Sequence, residues 1–194
     1  MHQVRALTTS TRVGIMRASF RLAMVAALAG LPLAAWGAPG QAVRSVYTSL
    51  DTARCRLLSR HQETGATVHR CRGVAGYALQ VADDDARMSI DVVTPAGRVH
   101  ELNYWGVITG NFSSLGPRAE WRMRGERPIA LIVRVNANED PSNPERTTSY
   151  LAVAKVSARG SCVTDRIVPS AGANELARRA ADRSAGRPCL VRRP

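Results

Sequence analysis

Residues 129–135 read Ile-Ala-Leu-Ile-Val-Arg-Val, and this stretch is the clearest strand signal in the chain. Branched aliphatic side chains occupy every second position, and the positions between them are also apolar until Arg134. Because side chains of a β-strand point alternately to its two faces, this alternation predicts the strongest strand of the chain, with Ile129, Leu131, Val133 and Val135 on one face. Such a strand needs partners on either side, so the fold is expected to be built around a sheet.

The same period-two alternation recurs on both sides of this strand. Short runs with turn residues between them are typical of antiparallel sheets that have one covered face. The sequence therefore predicts an antiparallel meander of about seven to eight strands. The other strand signals lie at 55–60, 68–71, 77–81, 88–92, 120–124, 150–156 and 161–168.

The pattern changes to helical spacing near the end of the chain. Ala173, Leu176, Ala177 and Ala180 fall at i, i+3, i+4 and i+7, which is one face of a helix. Gly186 is placed where a C-terminal cap is expected. The sequence thus predicts an α+β domain in which a C-terminal helix covers the sheet.

Four cysteines, an even number, are typical of an exported protein with disulfides. They are Cys55, Cys71, Cys162 and Cys189, and three pairings are possible. The pairing Cys55–Cys71 with Cys162–Cys189 is favoured because each bond then closes a local loop. The spacing of a Cys-x-x-Cys metal or redox site is not present, so the cysteines are interpreted as structural.

The first residues have the composition of an export signal. Arg17 and Arg21 precede Leu22–Ala35, a run of 14 residues without a charge that leads into small residues. We expect 1–37 to be a signal peptide, with Met16 as an alternative start. Residues 38–194 are then a single periplasmic or secreted domain, and no later segment has the length of a membrane span.

The chain has a formal net charge of +12, and Lys155 is its only lysine among 27 basic residues. An arginine-rich surface is often merely solvated, but it also attracts anionic polymers and acidic proteins. Nucleic acid is not an expected partner, because the chain shows an export signal and no base-stacking motif.

No motif indicates catalysis, a metal or a cofactor. The chain has no Gly-x-Ser-x-Gly elbow and no phosphate-binding glycine loop. Asn136, Asn138 and Asp140 resemble the opening of a calcium loop, but Pro141 stands where such a loop requires glycine. We predict no catalytic residue, no metal site and no cofactor. A hydrolase that uses carboxylates or His100 remains the alternative.

The candidate binding residues are aromatic. Tyr104, Trp105 and Phe112 lie together within 103–117, although aromatic residues are few in this chain. If exposed, they form a patch for a partner or a sugar. The other interpretation is that they cover the open end of the sheet.

Three motifs give the chain a family resemblance. They are 71–77 (CRGVAGY), 114–122 (SLGPRAEWR) and 173–178 (ANELAR). Over most of 45–190 the chain resembles a family of exported proteobacterial proteins with no established activity. Relatives commonly read Cys-Pro-Gly where this chain has Arg72. The resemblance implies export but no catalytic residue.

These observations favour a non-enzymatic binding protein. Its expected contact surface combines the 103–117 loop with exposed arginines. The expected partner is an envelope protein, for example a lysozyme-like enzyme that it would inhibit, or an anionic surface polymer.

Overall fold

The computed structural model describes residues 41–140, 142–143 and 145–191. The expected signal peptide, 1–37, lies outside the described residues. The described residues contain ten strands and two α-helices. The strands are β1 (Val43–Ser49), β2 (Arg56–Arg60), β3 (Thr67–Arg72), β4 (Ala78–Asp84), β5 (Arg87–Val93), β6 (Val99–Glu101), β7 (Ser113–Arg124), β8 (Arg127–Asn138), β9 (Thr147–Lys155) and β10 (Cys162–Ile167); the helices are α1 (Tyr104–Val107) and α2 (Ala173–Asp182).

All ten strands belong to one sheet. Its order is β10-β9-β8-β7-β5-β4-β3-β2, with β1 paired to β7 and β6 paired to β5. Neighbouring strands are antiparallel except β5 and β7, which pair in parallel at Arg87 and Ser113. This contact is parallel because the chain crosses over through β6 and α1 before it enters β7. Beyond it, β1 takes the place of β5 beside β7, from Ser49 opposite Arg118 to Val43 opposite Arg124.

The predicted strand-rich sheet with one long C-terminal helix is confirmed. The strand count of seven to eight and the purely antiparallel meander are wrong. Neither β1 nor β6 was expected: the buried and exposed positions of β1 do not alternate, and β6 has only three residues. The residues from Ser113 to Pro117 were expected to belong to the 103–117 loop, whereas β7 begins at Ser113.

The main core lies between two halves of this sheet. Leu79, Val81 and Ile90 from β4 and β5 join the same buried cluster as Trp121 and Leu131 from β7 and β8. Each half therefore covers the inner face of the other. This is why the described strands alternate on one face, as predicted, although no second sheet is involved.

The helix α2 covers the outer face of β8 and β9. A second, smaller cluster joins Ala130 and Ile132 of β8 with Ala177 and Ala181 of α2. The predicted helix is present, but its buried face is turned, since Leu176 is 43% exposed. Alanine at the contact lets the helix approach the sheet closely. The outer face of β8 is therefore apolar where α2 covers it, at Ala130 and Ile132, and polar from Arg134 onward.

Two disulfides close the structure at its edges. They are Cys55–Cys71 and Cys162–Cys189, the pairing that the sequence favoured. Their loops span 16 and 27 residues, and loops of this length correspond to roughly 3 and 3.5 kcal/mol of stabilisation from lost chain entropy. The second bond also holds the chain after α2 against β10, where Leu190 donates a backbone hydrogen bond to Val163.

Candidate functional site

The three predicted aromatic residues do not share one surface. Tyr104 is only 1% exposed and belongs to the main core, whereas Trp105 and Phe112 are 37% and 48% exposed. Tyr104 is buried because it begins α1, which packs against β5 after Asn103 caps its first turn. The predicted patch of three aromatic residues is therefore wrong for Tyr104.

Trp105 and Phe112 are held at the sheet end by Arg87. The indole nitrogen of Trp105 donates to the carbonyl oxygen of Arg87 at 2.7 Å. The Arg87 guanidinium lies 4.7 Å from the centre of the Phe112 ring, a cation–π contact. We call this pair of exposed rings the aromatic edge. Its internal contacts fit a cover over the end of β5, the second of the two interpretations.

The structure brings His100 close to a hydroxyl group but not to an acid. Its Nδ1 lies 3.2 Å from Oγ of Ser161, across β6 and the start of β10. Among the described residues, no carboxylate accepts a hydrogen bond from His100. The pair therefore lacks, among the described residues, the acid that orients the histidine in a serine-hydrolase triad.

Two carboxylates do lie opposite each other, on β5 and β6. Asp91 faces Glu101 across the strand pair, and Asp91 accepts a hydrogen bond from the backbone of Leu102. Burial raises the pKa of Asp91, the hydrogen bond from Leu102 opposes this, and the charge of Glu101 adds to the rise. The buried hydroxyl of Tyr104 also has its pKa raised by burial and by Asp91.

The topology gathers basic side chains at one end of the sheet. Three turns meet there: the turn from β3 to β4, the turn from β7 to β8 and the turn from β9 to β10. We call this surface the basic end. Its cationic side chains are Arg56, Arg70, Arg72, Arg124, Arg127, Lys155 and Arg159.

Three adjoining depressions make up the basic end, and Tyr77 contributes to all of them. The first, of about 510 Å³, is lined by three arginines of β2 and β3 and by the turn 73–77. The second, of about 480 Å³, includes Arg124 and Arg127. The third, of about 540 Å³, continues past the same two arginines to Arg159. Together they form one continuous basic surface.

The turn 73–77 beneath this surface is packed too tightly to accept a side chain at Gly73. A Cβ atom on Gly73 would lie 2.6 Å from the backbone oxygen of Tyr77 and 2.9 Å from the buried indole of Trp121. The Tyr77 ring packs against the same indole, with ring centres 6.2 Å apart. The centre of the basic end is thus fixed directly to the main core.

The acidic residues near the basic end are already paired. Glu126 lies 3.0 Å from Arg44, and Asp182 lies 2.7 Å from Arg122. In the part of the chain that the structure describes, no carboxylate forms an ion pair with the arginines of the basic end. Its cationic side chains therefore have no ion-pair partner among the described residues, although Glu126 and Asp182 line the second and third depressions.

Acidic residues concentrate at the opposite end of the sheet. The turns there contain Asp84, Asp85, Glu139, Asp140 and Glu145. The 7-residue strand β4 runs between the two ends, which corresponds to about 23 Å. The aromatic edge also lies at this far end, beside Arg87 at the start of β5. The aromatic edge and the basic end are therefore separate surfaces about 23 Å apart, and the expected contact surface of the 103–117 loop with exposed arginines stays a prediction.

Other arginines have a structural role under α2. Arg122 donates to both carboxylate oxygens of Asp182, at 2.7 and 2.8 Å, and its side chain is 10% exposed. Arg178 donates to Glu120 at 2.7 Å, and Glu120 also accepts from Ser45. These contacts fasten the helix to β7 and β1. The four charges thus compensate one another and are not available to a ligand.

The pKa values of this network follow from its contacts. Burial by itself raises the pKa of Glu120, but hydrogen bonds from Arg178 and Ser45 outweigh it and hold that pKa below its usual value. The hydrogen bonds to Asp182 raise the pKa of Arg122 against the opposing effect of burial. Glu120 and Arg122 are therefore both charged at neutral pH.

Metal-binding groups and membrane-spanning helices are both absent from the described residues. Among the described residues, no group of three or more histidine, cysteine, aspartate or glutamate side chains is placed to hold a metal ion. None of the helices in the described ranges is long and apolar enough to cross a membrane.

Comparison with known proteins finds no family model, no curated protein and no solved structure that matches the chain. The resemblance to exported proteobacterial proteins stays a prediction. The function has to be argued from the basic end itself.

Proposed function

We propose that the protein is a non-enzymatic binding protein of the cell envelope, periplasmic or secreted, and that it binds an anionic envelope polymer through the basic end. The observation that carries the proposal is the group of cationic side chains around Tyr77 without carboxylate partners. Uncompensated like charges repel one another in the free protein, and a polyanion relieves that repulsion.

The shape of the basic end favours a ligand with repeated charges. Its three depressions adjoin one another, so successive anionic groups can contact successive arginines. Arginine suits this role because its planar guanidinium binds carboxylate or phosphate through two parallel hydrogen bonds. An acidic envelope protein could use the same cations, and it is the other outcome of the test.

The disulfides support the location. Two disulfides in a chain of this size indicate an oxidising compartment outside the cytoplasm. Envelope polymers that carry carboxylate or phosphate groups would be accessible to the protein there.

Fluorescence anisotropy with labelled polyglutamate and labelled polyphosphate tests the proposal. Arg124→Gln with Arg127→Gln removes two exposed charges from the centre of the basic end. The matched control is Arg60→Gln with Arg146→Gln, since both of these exposed arginines lie at the opposite end. We expect about ten-fold weaker binding for the first double variant and no change for the control.

Salt provides a second test of the same binding. Contacts between exposed charges weaken as the Debye length falls, to about 3 Å at 1 M salt. Binding of either polyanion should therefore fall steeply with added salt. Equal binding by both double variants, or binding that persists at high salt, would remove the basic end from the proposal. Retained binding by Trp105→Ala is also expected, because the aromatic edge lies at the far end.

A further inference from the structure

The first depression of the basic end has the composition of a phosphate site. Its cationic lining consists of Arg56, Arg70 and Arg72, which we call the arginine cluster, and no acidic residue lines it. The lining is completed by the backbone of the turn 73–77.

Strand register places the three guanidinium groups on one face of the β2–β3 hairpin. Arg56 is directly opposite Arg70. Cys71 is buried in the core, so its neighbours Arg70 and Arg72 point to the other face. Like charges that face each other across two strands destabilise the pair. The facing pair of Arg56 and Arg70 is therefore expected to destabilise the free hairpin.

A covalent bond maintains this arrangement. Cys55 directly precedes Arg56, Cys71 separates Arg70 from Arg72, and the two cysteines form a disulfide with Cα atoms 4.6 Å apart. The bond keeps the strands together at the position where the guanidinium groups repel. The backbone that carries the three arginines is therefore fixed before any ligand binds, which lowers the entropic cost of binding.

Several hydrogen-bond donors of the residues that line the depression have no partner among the described residues. The Nε atom of Arg70 is buried and has no hydrogen-bond partner among the described residues. The amides of Ala75 and Gly76 donate to no other group in the same part of the chain, and both residues have positive φ, at 49° and 79°. Successive amides in such a turn can form a concave anion site.

We propose that the arginine cluster binds a phosphate ester group, and the inference rests on the proposed function of the basic end. Three guanidinium groups without an acid match the two negative charges and multiple acceptor oxygens of a phosphate monoester better than the single charge of a carboxylate. The phosphate group can belong to a soluble polymer or to a lipid headgroup, and the test has one arm for each.

Isothermal titration calorimetry with inorganic phosphate measures the site directly, and acetate serves as the carboxylate comparison. Arg70→Gln and Arg56→Gln should each weaken phosphate binding by about ten-fold or more, since a hydrogen bond to a charged group is lost. Arg60→Gln is the matched control, because it removes an arginine from the same strand, outside the depression.

Thermal unfolding gives a second readout that does not depend on affinity alone. Phosphate should raise the Tm of the wild-type protein but not that of Arg70→Gln. Without phosphate, Arg56→Gln should be at least as stable as wild type, because the repulsion with Arg70 is removed. A lower Tm for Arg56→Gln without phosphate would contradict the argument from repulsion.

Co-sedimentation with phosphatidylcholine vesicles that contain phosphatidic acid identifies the source. Binding to these vesicles and to inorganic phosphate indicates a headgroup, whereas binding to phosphate and polyphosphate but not to the vesicles indicates a soluble polymer that carries phosphate groups. Both results support the site. Equal phosphate affinity for Arg60→Gln and Arg70→Gln, or acetate binding as tight as phosphate, would overturn it. Either outcome would leave the proposed function of the basic end intact, provided that polyglutamate binding still depended on Arg124 and Arg127. If the wild-type protein bound no polyanion at all, both the proposed function and the phosphate site would be contradicted.

Discussion

Glu120 offers the sharpest test of how the helix is fastened to the sheet. Its carboxylate is 13% exposed and accepts hydrogen bonds from Ser45 and from Nε of Arg178, the latter at 2.7 Å. Glu120→Gln keeps the shape and one acceptor oxygen but removes the charge. A hydrogen bond to a charged group contributes about 1.5–3 kcal/mol. Because Arg178 remains partly exposed and can turn to water, we expect a loss of about 2 kcal/mol.

The loss of stability in Glu120→Gln should depend on pH, and the lowered pKa of Glu120 sets the direction. The folded pKa of Glu120 is lowered from its ordinary value of 4.5. The carboxylate therefore stabilises the fold at pH values above about 4.5, and this contribution is lost as the pH falls through the lowered folded pKa. The difference in the free energy of unfolding between wild type and Glu120→Gln should have its largest value near neutral pH and should become smaller in acid.

Urea unfolding near neutral pH and in acid measures this difference. In a thermal scan, 2 kcal/mol corresponds to a Tm lower by about 4–8 °C for a domain of this size. Glu63→Gln in the exposed turn between β2 and β3 is the control, and it should change stability by no more than about 0.5 kcal/mol. A loss for Glu120→Gln that does not vary with pH would refute the reasoning.

Three further substitutions test other parts of the fold by thermal unfolding. Gly73→Ala should cost about 2–3 kcal/mol, since its Cβ would lie 2.6 Å from a backbone oxygen; an unchanged Tm would contradict the tight packing at that turn. Ala86→Gly should gain about 0.5–1 kcal/mol, because Ala86 has φ of 56° between β4 and β5. Ala96→Gly, a turn alanine without positive φ, should show no gain. Asp91→Asn should raise Tm at neutral pH, because burial raises the pKa of Asp91 and its charged form opposes folding. That gain should vanish as the pH falls below 3.8, the ordinary value; a gain that persists there would argue against a charge effect.

Local pattern was sufficient for several parts of the fold. The alternation in 129–135 predicted the strongest strand, and it lies within β8, whose outer face α2 covers as well. The cysteine pairs follow from loop length, because both pairs belong to neighbouring elements. The alanine-rich spacing after Ala173 predicted α2, although not which of its residues face the sheet. These features depend on residues close together in sequence.

The failures have a common physical origin. The burial of Tyr104 depends on how α1 packs against β5, which spacing within 103–117 does not specify. The parallel contact at Arg87 and Ser113 depends on a crossover, which strand signals alone do not distinguish from a hairpin. Both are contacts between elements whose relative placement is set by the whole core.

The basic end shows the same division. The sequence by itself determined that the protein is rich in arginine, that its cysteines pair locally and that its chain forms strands. Only the tertiary structure decided that arginines from β2, β3, β7 and β8 lie around one tyrosine while many of the acids lie at the other end. The reason is that antiparallel strands bring residues far apart in sequence to the same edge. Charge along a sequence therefore becomes charge at a site only when the strand register is fixed.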